Sequence, residues 1–291
     1  MNKNSFLWIV CGTILCMMSA LPASAQGIVV NKTDGTKVYY RAEEVESVGV
    51  YGYGEEPEPE TPEGNTYTAN GVQFTMVAVE GGTFQMGSED RDAYDSEKPV
   101  HQVTVSSFAI GQTEVTQELW EAVMGSNPSY FKGAKLPVEE VSWNDCQTFI
   151  TKLNQLTGQQ VRLPTEAEWE FAARGGNSSK GYKYSGSDNI DAVAWYTSNS
   201  SRKTHEVATK APNELGIYDM SGNVWEWCQD WYNSSYYSSS PTSNPTGPTT
   251  GSSRVGRGGS WGSNVRSCRV SYRNYFAPDS RSYNLGLRLA L

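Results

Sequence analysis

Past residue 70 the chain carries its largest apolar side chains singly, in short blocks where tryptophan sits beside glycine, arginine or glutamate. Trp143, Trp169, Trp225, Trp227 and Trp261 are set this way. Long runs of period-2 or period-3.6 hydrophobicity are scarce, so isolated anchors must build the core. This argues against a helical bundle and for a loop-rich α+β domain. Only 19% of residues are charged, and 28 are glycine. The net charge of -9, with no basic run longer than a pair, excludes a generic electrostatic grip on nucleic acid.

The N-terminus reads as an export signal over residues 1–25. Lys3 precedes an apolar stretch over 6–21, and Ala23-Ser24-Ala25 forms a small-x-small cleavage site. The apolar stretch is too short and too promptly followed by that site for a membrane-spanning anchor. The expected location is therefore secreted, periplasmic or at the cell surface. Val10 and Leu15 precede Cys11 and Cys16, where an acylated cysteine needs a small residue. Residues 26–51 read as a small β unit. Ile28-Val29-Val30 and Lys37-Val38-Tyr39-Tyr40 flank an Asp34-Gly35 turn, with a third strand expected from Val45, Val48 and Val50. Residues 52–65, rich in Glu and Pro, cannot form a core and read as a spacer.

The main domain is expected over 66–291. Val77-Ala78-Val79 followed by Gly81-Gly82 and Thr83-Phe84-Gln85-Met86 predicts a hairpin, and 102–110 alternates like one strand. Three helices are predicted. Thr116 caps the first, and Ser142, with Asp145 in the first turn, caps the second. Thr165 with Glu168 forms a capping box for the third. Residues 234–253, rich in Ser, Thr, Pro and Gly, read as an exposed excursion. His101 and His205 are the only histidines and lie in no ligand-spaced cluster, which excludes a histidine metal site or a Ser/His/Asp triad.

Several blocks recur in order: Gly81-Gly82-Thr83-Phe84-Gln85-Met86-Gly87, Glu114-Val115-Thr116, Arg162-Leu163-Pro164-Thr165-Glu166-Ala167-Glu168-Trp169-Glu170, Gly222-Asn223-Val224-Trp225-Glu226-Trp227, Arg257-Gly258-Gly259-Ser260-Trp261 and Leu285-Gly286-Leu287-Arg288. This series resembles the formylglycine-generating-enzyme, or sulfatase-modifying-factor, family over nearly all of the chain after the spacer. The resemblance implies an irregular α+β domain of the C-type-lectin type. It also implies a structural calcium held by the carboxylates of Asp219 and Glu226 and the carbonyls of Gly222 and Val224. Hard oxygen ligands on one tight loop suit that ion. The family's other calcium site falls near 192–195, where no matching side-chain oxygens occur.

The resemblance breaks at the chemistry. Active members carry two cysteines after the Gly-Gly-Ser motif, which hold copper as thiolates, the soft ligands that Cu(I) requires. Here Ser263 and Val265 stand in those places, and Cys268 aligns with neither. Copper and formylglycine formation are therefore not expected. Around the missing pair lie Trp261, Gly262, Ser263, Asn264, Ser267, Asn274, Tyr275, Phe276, Ser280, Ser282, Tyr283 and Asn284. This mixture of rigid aromatics and adaptable polar residues is that of a paratope. It also resembles the variable segment of retroelement-diversified ligand-binding proteins, which share the lectin-type fold. The expected function is a secreted, non-catalytic module binding a protein or glycan through this segment, with Tyr236 and Tyr237 as possible additions. The competing expectation is an enzyme of the wider family whose chemistry does not need the cysteine pair. Of the cysteines after residue 25, Cys228 and Cys268 are expected to form a disulfide because they lie in successive framework segments, leaving Cys146 free.

Overall fold

The computed structural model describes residues 65–291 and, before them, the backbone of four short strands. The chain divides into two units, Met1–Glu60 and Thr61–Leu291.

In the first unit β2 (Gly27–Asn31) and β3 (Lys37–Arg41) form an antiparallel hairpin, with Gly27 opposite Arg41 and Asn31 opposite Lys37. The Asp34-Gly35 turn lies outside the described residues. The expected third strand exists as β4 (Val48–Tyr51), but it pairs in parallel with β1 (Leu7–Val10) rather than with the hairpin. The rest of the export-signal pattern and nearly all of the spacer also lie outside the described residues.

The second unit begins with β5 (Asn65–Ala69), which with β6 (Val72–Val79) and β9 (Phe108–Gly111) makes a three-stranded antiparallel sheet. Strands β7 (Gly82–Met86) and β8 (His101–Val105) pair separately. The hairpin expected across Gly81-Gly82 is therefore not formed, and the alternating stretch over 102–110 is two strands in two sheets. The reason lies at the crossing. A Cβ on Gly81 would meet the Val105 carbonyl and the Ser107 amide at 2.6 Å, so the two crossover points pack directly on each other.

The helices follow their caps. In α1 (Gln117–Met124) the Thr116 hydroxyl accepts from the Leu119 amide. In α2 (Trp143–Thr157) and α3 (Glu166–Ala173), Ser142 with Asp145 and Thr165 with Glu168 form complete capping boxes. A fourth helix, α4, is one turn long (Ile190–Val193). The last sheet runs β12 (Asn274–Phe276), β11 (Arg254–Arg257), β10 (Trp225–Trp231), β13 (Leu285–Leu287), with β10 and β13 parallel. The C-terminus returns to the first sheet, where Leu291 and Ala109 exchange backbone hydrogen bonds.

Two main cores result. Helices α1 and α2 bury Trp120, Phe149 and Leu153 with Trp225 and Trp227, while α3 buries Trp169 and Phe171 against Val103, Ile110 and Val255. Trp169 and Trp227 are fully buried. Their indole N–H groups donate to the Glu226 carboxylate and the Val141 carbonyl.

Between the cores runs a set of buried ion pairs: Arg288 with Glu226, Arg257 with Glu170, Arg273 with Glu166 and Arg269 with Glu97. Arg162 and Arg174 pair with Glu168 and Glu170 nearer the surface. The Glu-rich start of α3 is thus structural, its carboxylates taken by arginines from four later or flanking segments. Removing one member of such a pair strands a buried charge, at a cost of roughly 3–5 kcal/mol.

Candidate ligand-binding face

The segment after β11 turns on Gly258 and Gly259, both left-handed at φ 92° and 80°. A Cβ on Gly259 would lie 2.8 Å from the Cys268 sulfur, so only glycine lets the chain cross that thiol. Ser260 and Ser263 follow, their hydroxyls 3.1 Å apart, and the Ser260 amide donates to Ser263 Oγ. The Trp261 amide donates to the Asn223 carbonyl, which sets the indole outward and half-buried.

Around Trp261 an aromatic patch assembles. Its ring stacks on Tyr283, centroids 5.6 Å apart and planes at 30°, while its Nε1 donates to the Tyr283 carbonyl. Phe131 meets the indole edge-on at 5.7 Å, and Tyr130 contacts both Phe131 and Tyr283. Tyr130 is 70% exposed and Tyr283 48%. Asn284 joins the patch through Ser260 Oγ, and Ser282 through Asn284 Oδ1.

Tyr130 and Phe131 come from the loop after α1, far from the C-terminal segment. Two buried side chains hold that loop. Gln117 donates to the Phe131 carbonyl, and Glu139 Oε1 accepts from the Phe131 amide at 2.7 Å. Glu139 Oε2 is buried without a partner, and burial pushes this carboxyl up to about 7. Sequence reading missed this half of the patch. Its one signal was an adjacent aromatic pair inside the polar stretch 125–133.

The expected face does not form as one surface. Tyr275 on edge strand β12 stacks with Tyr232 at 4.4 Å, in a separate aromatic pair. Phe276 points the other way and packs edge-on against Trp225 and Trp227, so it belongs to the core. Asn274 sits beside them on the same strand, half-buried. Asn264 Oδ1 accepts from the Arg266 and Ser267 amides, capping a single 3-10 turn, and the Ser267 hydroxyl faces it. Gly262 is exposed and Ser280 half-buried, with no role in the patch. Tyr237 is also removed from the face. It is 2% exposed, against His101 and the Arg273 guanidinium.

The cysteines correct a further expectation. Cys146, Cys228 and Cys268 are all free and buried. Cys228 lies in the core under α3 and Cys268 in a separate cluster with Tyr184 and Ile190, so the expected bridge does not form. Burial pushes the Cys268 thiol up to about 12, which keeps it protonated. It is no substitute for a thiolate pair.

The residues implied for calcium fit in part. Asp219 is left-handed at φ 60°; its Oδ2 accepts from the Ala208 amide, and its Oδ1 is buried without a partner. Burial pushes this carboxyl up to about 6. Glu114 is fully buried beside Asp219 and Glu226, and burial and these two neighbours raise it well above the carboxylate range. Glu226 itself is taken, with Arg288 on both oxygens and the Trp169 indole on one. Among the described residues no three His, Cys, Asp or Glu side chains converge as a metal site. A cation here would rest on Asp219 and the Gly222 and Val224 carbonyls. No helix among the described residues is long and apolar enough to cross a membrane.

Residues 64–291 match the sulfatase-modifying factor enzyme 1-like domain. The chain is 35% identical to a protein named chaperone protein LppX from Paenibacillus barcinonensis, over 75% of this chain and 89% of that one. It is 31% identical to the formylglycine-generating enzyme of Thermomonospora curvata, over 74% and 92%. Among solved structures, Treponema denticola variable protein 1 superposes with a TM-score of 0.71 at 39% identity, covering 79% of this chain and 99% of that one.

Proposed function

Since the chain belongs to the sulfatase-modifying factor enzyme 1-like family, with its C-type-lectin-like α+β fold, we propose that it uses this scaffold to bind a ligand rather than to oxidise cysteine. One observation carries the reading. Where the chemistry needs a thiolate, Ser263 holds a hydroxyl committed to Ser260, and the neighbouring thiol, Cys268, is buried and protonated. What remains at that end is the patch of Trp261, Tyr283, Tyr130 and Phe131, the kind of rigid aromatic surface that anchors binding interfaces. The likeness to a variable protein supports the same reading. Its ligand is a protein or glycan, met outside the cytoplasm on the strength of the export-signal pattern in residues 1–25.

A calcium ion at Asp219, Gly222 and Val224 belongs to the same proposal. It would lock the loop that carries Asn223, whose carbonyl sets Trp261.

Two assays test the reading. With copper, oxygen and a cysteine-containing sulfatase peptide, mass spectrometry should find no aldehyde product; turnover would sink the proposal. Screened on arrays of glycans and extracellular proteins, the full chain should give hits that Trp261→Ala and Tyr283→Ala abolish. Hits indifferent to both substitutions would remove this patch from the function.

A further inference from the structure

Sharing Tyr130 with the aromatic patch, a cleft of about 640 Å³ opens beside it. One wall is apolar and comes from α1 and the loop after it: Trp120, Met124, Pro128 and the Tyr130 ring. The other wall is charged and comes from the loop before α2, the first turn of α2 and the C-terminal segment: Glu140, Asp145 and Arg281.

The charges do not balance. Arg281 grips Asp145 with two N–H groups, at 2.8 and 2.9 Å, so those two neutralise each other. Glu140 makes no ion pair among the described residues. Its backbone is fixed in the left-handed region, at φ 61°, with its amide on the Ser282 carbonyl. A non-glycine residue held there is strained, which the surrounding contacts must offset. The two lysines of the loop are engaged elsewhere, Lys132 on the Asn127 carbonyl and Lys135 on the Glu118 carboxylate. Arg281 also feels the Glu140 carboxylate, so two carboxylates share one guanidinium and the wall keeps a net negative charge. The cleft therefore presents an apolar floor, a carboxylate with no ion-pair partner of its own and the exposed ring of Tyr130.

A lysine or arginine side chain has the matching anatomy. Its alkyl stem can lie along Met124, Pro128 and Trp120, while its cationic head reaches the Glu140 carboxylate and the face of Tyr130. We propose that this cleft seats a basic side chain presented by a protein partner, next to the partner's contact with Trp261 and Tyr283. The proposal deepens the binding reading above and rests on it. The protein's charge of -9 favours the approach of such a partner.

The probes are acetylated, amidated tripeptides Leu-X-Leu, with X lysine, arginine, norleucine or glutamate, added to the full chain labelled at its methionine methyl groups. Met124 is the local reporter, identified by Met124→Leu. The lysine and arginine peptides should move its methyl signal saturably, and the norleucine and glutamate peptides should need several-fold higher concentration. Glu140→Gln should weaken the lysine peptide roughly three- to fivefold, the size of one partly exposed ion pair, without changing the melting temperature. Raising the salt should weaken it similarly. The inference is overturned if norleucine binds as well as lysine, if Glu140→Gln has no effect, or if maltoheptaose moves the signal and the peptides do not. None of these outcomes involves the aldehyde assay or the Trp261 substitution, so the cleft can fail while the binding reading stands.

Discussion

Replacing Phe276 by alanine should destabilise the domain, whereas replacing Tyr275 or Tyr283 should not. Phe276 packs edge-on against Trp225 and Trp227, with centroids 6.0 and 5.6 Å away, and its ring lies over Gly256, where a Cβ would meet Cε2 at 2.6 Å. Truncating a fully buried phenylalanine costs about 3–5 kcal/mol, and Phe276 is half-buried, so we expect about 2–3 kcal/mol. For a domain of this size each kcal/mol moves the melting point by about 2–4 °C, giving a fall of roughly 5–10 °C. Tyr275 and Tyr283 are 53% and 48% exposed, and each shares one stacked aromatic pair. Their alanine variants should lose no more than about 1 kcal/mol. Thermal unfolding followed by near-ultraviolet circular dichroism measures all three. Gly256→Ala is an independent probe, since it pushes Phe276 off its seat without removing it and should also lower the melting point. If Phe276→Ala melts with the wild type, the assignment of this ring to the core is wrong and it returns to the surface set.

The Asp230 carboxyl is pushed up to about 8 by burial and by the Glu166 carboxylate. The folded chain therefore holds a proton that the unfolded chain releases above about pH 4, so this group's contribution to stability falls as pH rises from about 4 to 8. Asp230→Asn keeps an acceptor for the Glu166 amide and should be more stable than wild type at pH 8, with the difference shrinking toward pH 4; the opposite trend in denaturant titrations would refute it. If calcium occupies the Asp219 loop, excess chelator should lower the melting temperature and Asp219→Ala should abolish that response; a melting curve blind to chelator would remove the ion. Without reductant, the chain lacking residues 1–25 should take no iodoacetamide when folded and three adducts in denaturant, read by intact mass. A single adduct would mean that Cys228 and Cys268 are bridged after all.

What the sequence revealed, and what it hid, divides along physical lines. Helix starts were legible because a cap is a local chemical event: Ser142 with Asp145, and Thr165 with Glu168, satisfy the first free amides whatever else surrounds them. Strand pairing was less so. Glycines at 81 and 82 look the same in a tight turn and in a crossing between sheets, and only the packing of Val105 and Ser107 decides. Composition pointed to the right region for the site but could not sort it. Residues 274–276 form a strand too short to show alternation, so nothing marked Phe276 as inward and Tyr275 as outward. Tyr130 and Phe131 lie more than a hundred residues before Trp261, and the patch appears only when Glu139 and Gln117 fold their loop onto it. The cysteines misled for the same reason, since succession of motifs along the chain is not contact in space.

The way the C-terminal segment is attached bears on how a family scaffold can serve recognition. Arg269, Arg273 and Arg281 pin that segment by their side chains to Glu97, Glu166 and Asp145, and between those pins its path is fixed by main-chain atoms. The Trp261 amide meets Asn223, the Ser263 carbonyl meets the Thr197 amide, the Pro278 carbonyl takes the Trp143 amide, the Ser282 carbonyl takes the Glu140 and Leu285 amides, and the Asn284 carbonyl takes the Trp225 amide. Each bond survives a change of side chain at the loop position that makes it. Beneath lies the opposite arrangement, in which Glu226, Arg288, Glu170 and Arg257 are held by their side chains and each loss strands a charge. A chain built this way confines the cost of substitution to its interior. Residues such as Trp261, Ser263, Ser282 and Tyr283 can then change with little effect on stability, provided the inward ring of Phe276 is kept. An oxidase cannot use that freedom, because a thiolate pair must stay in place; a binding surface can, and the serine at 263 sits where the two demands diverge.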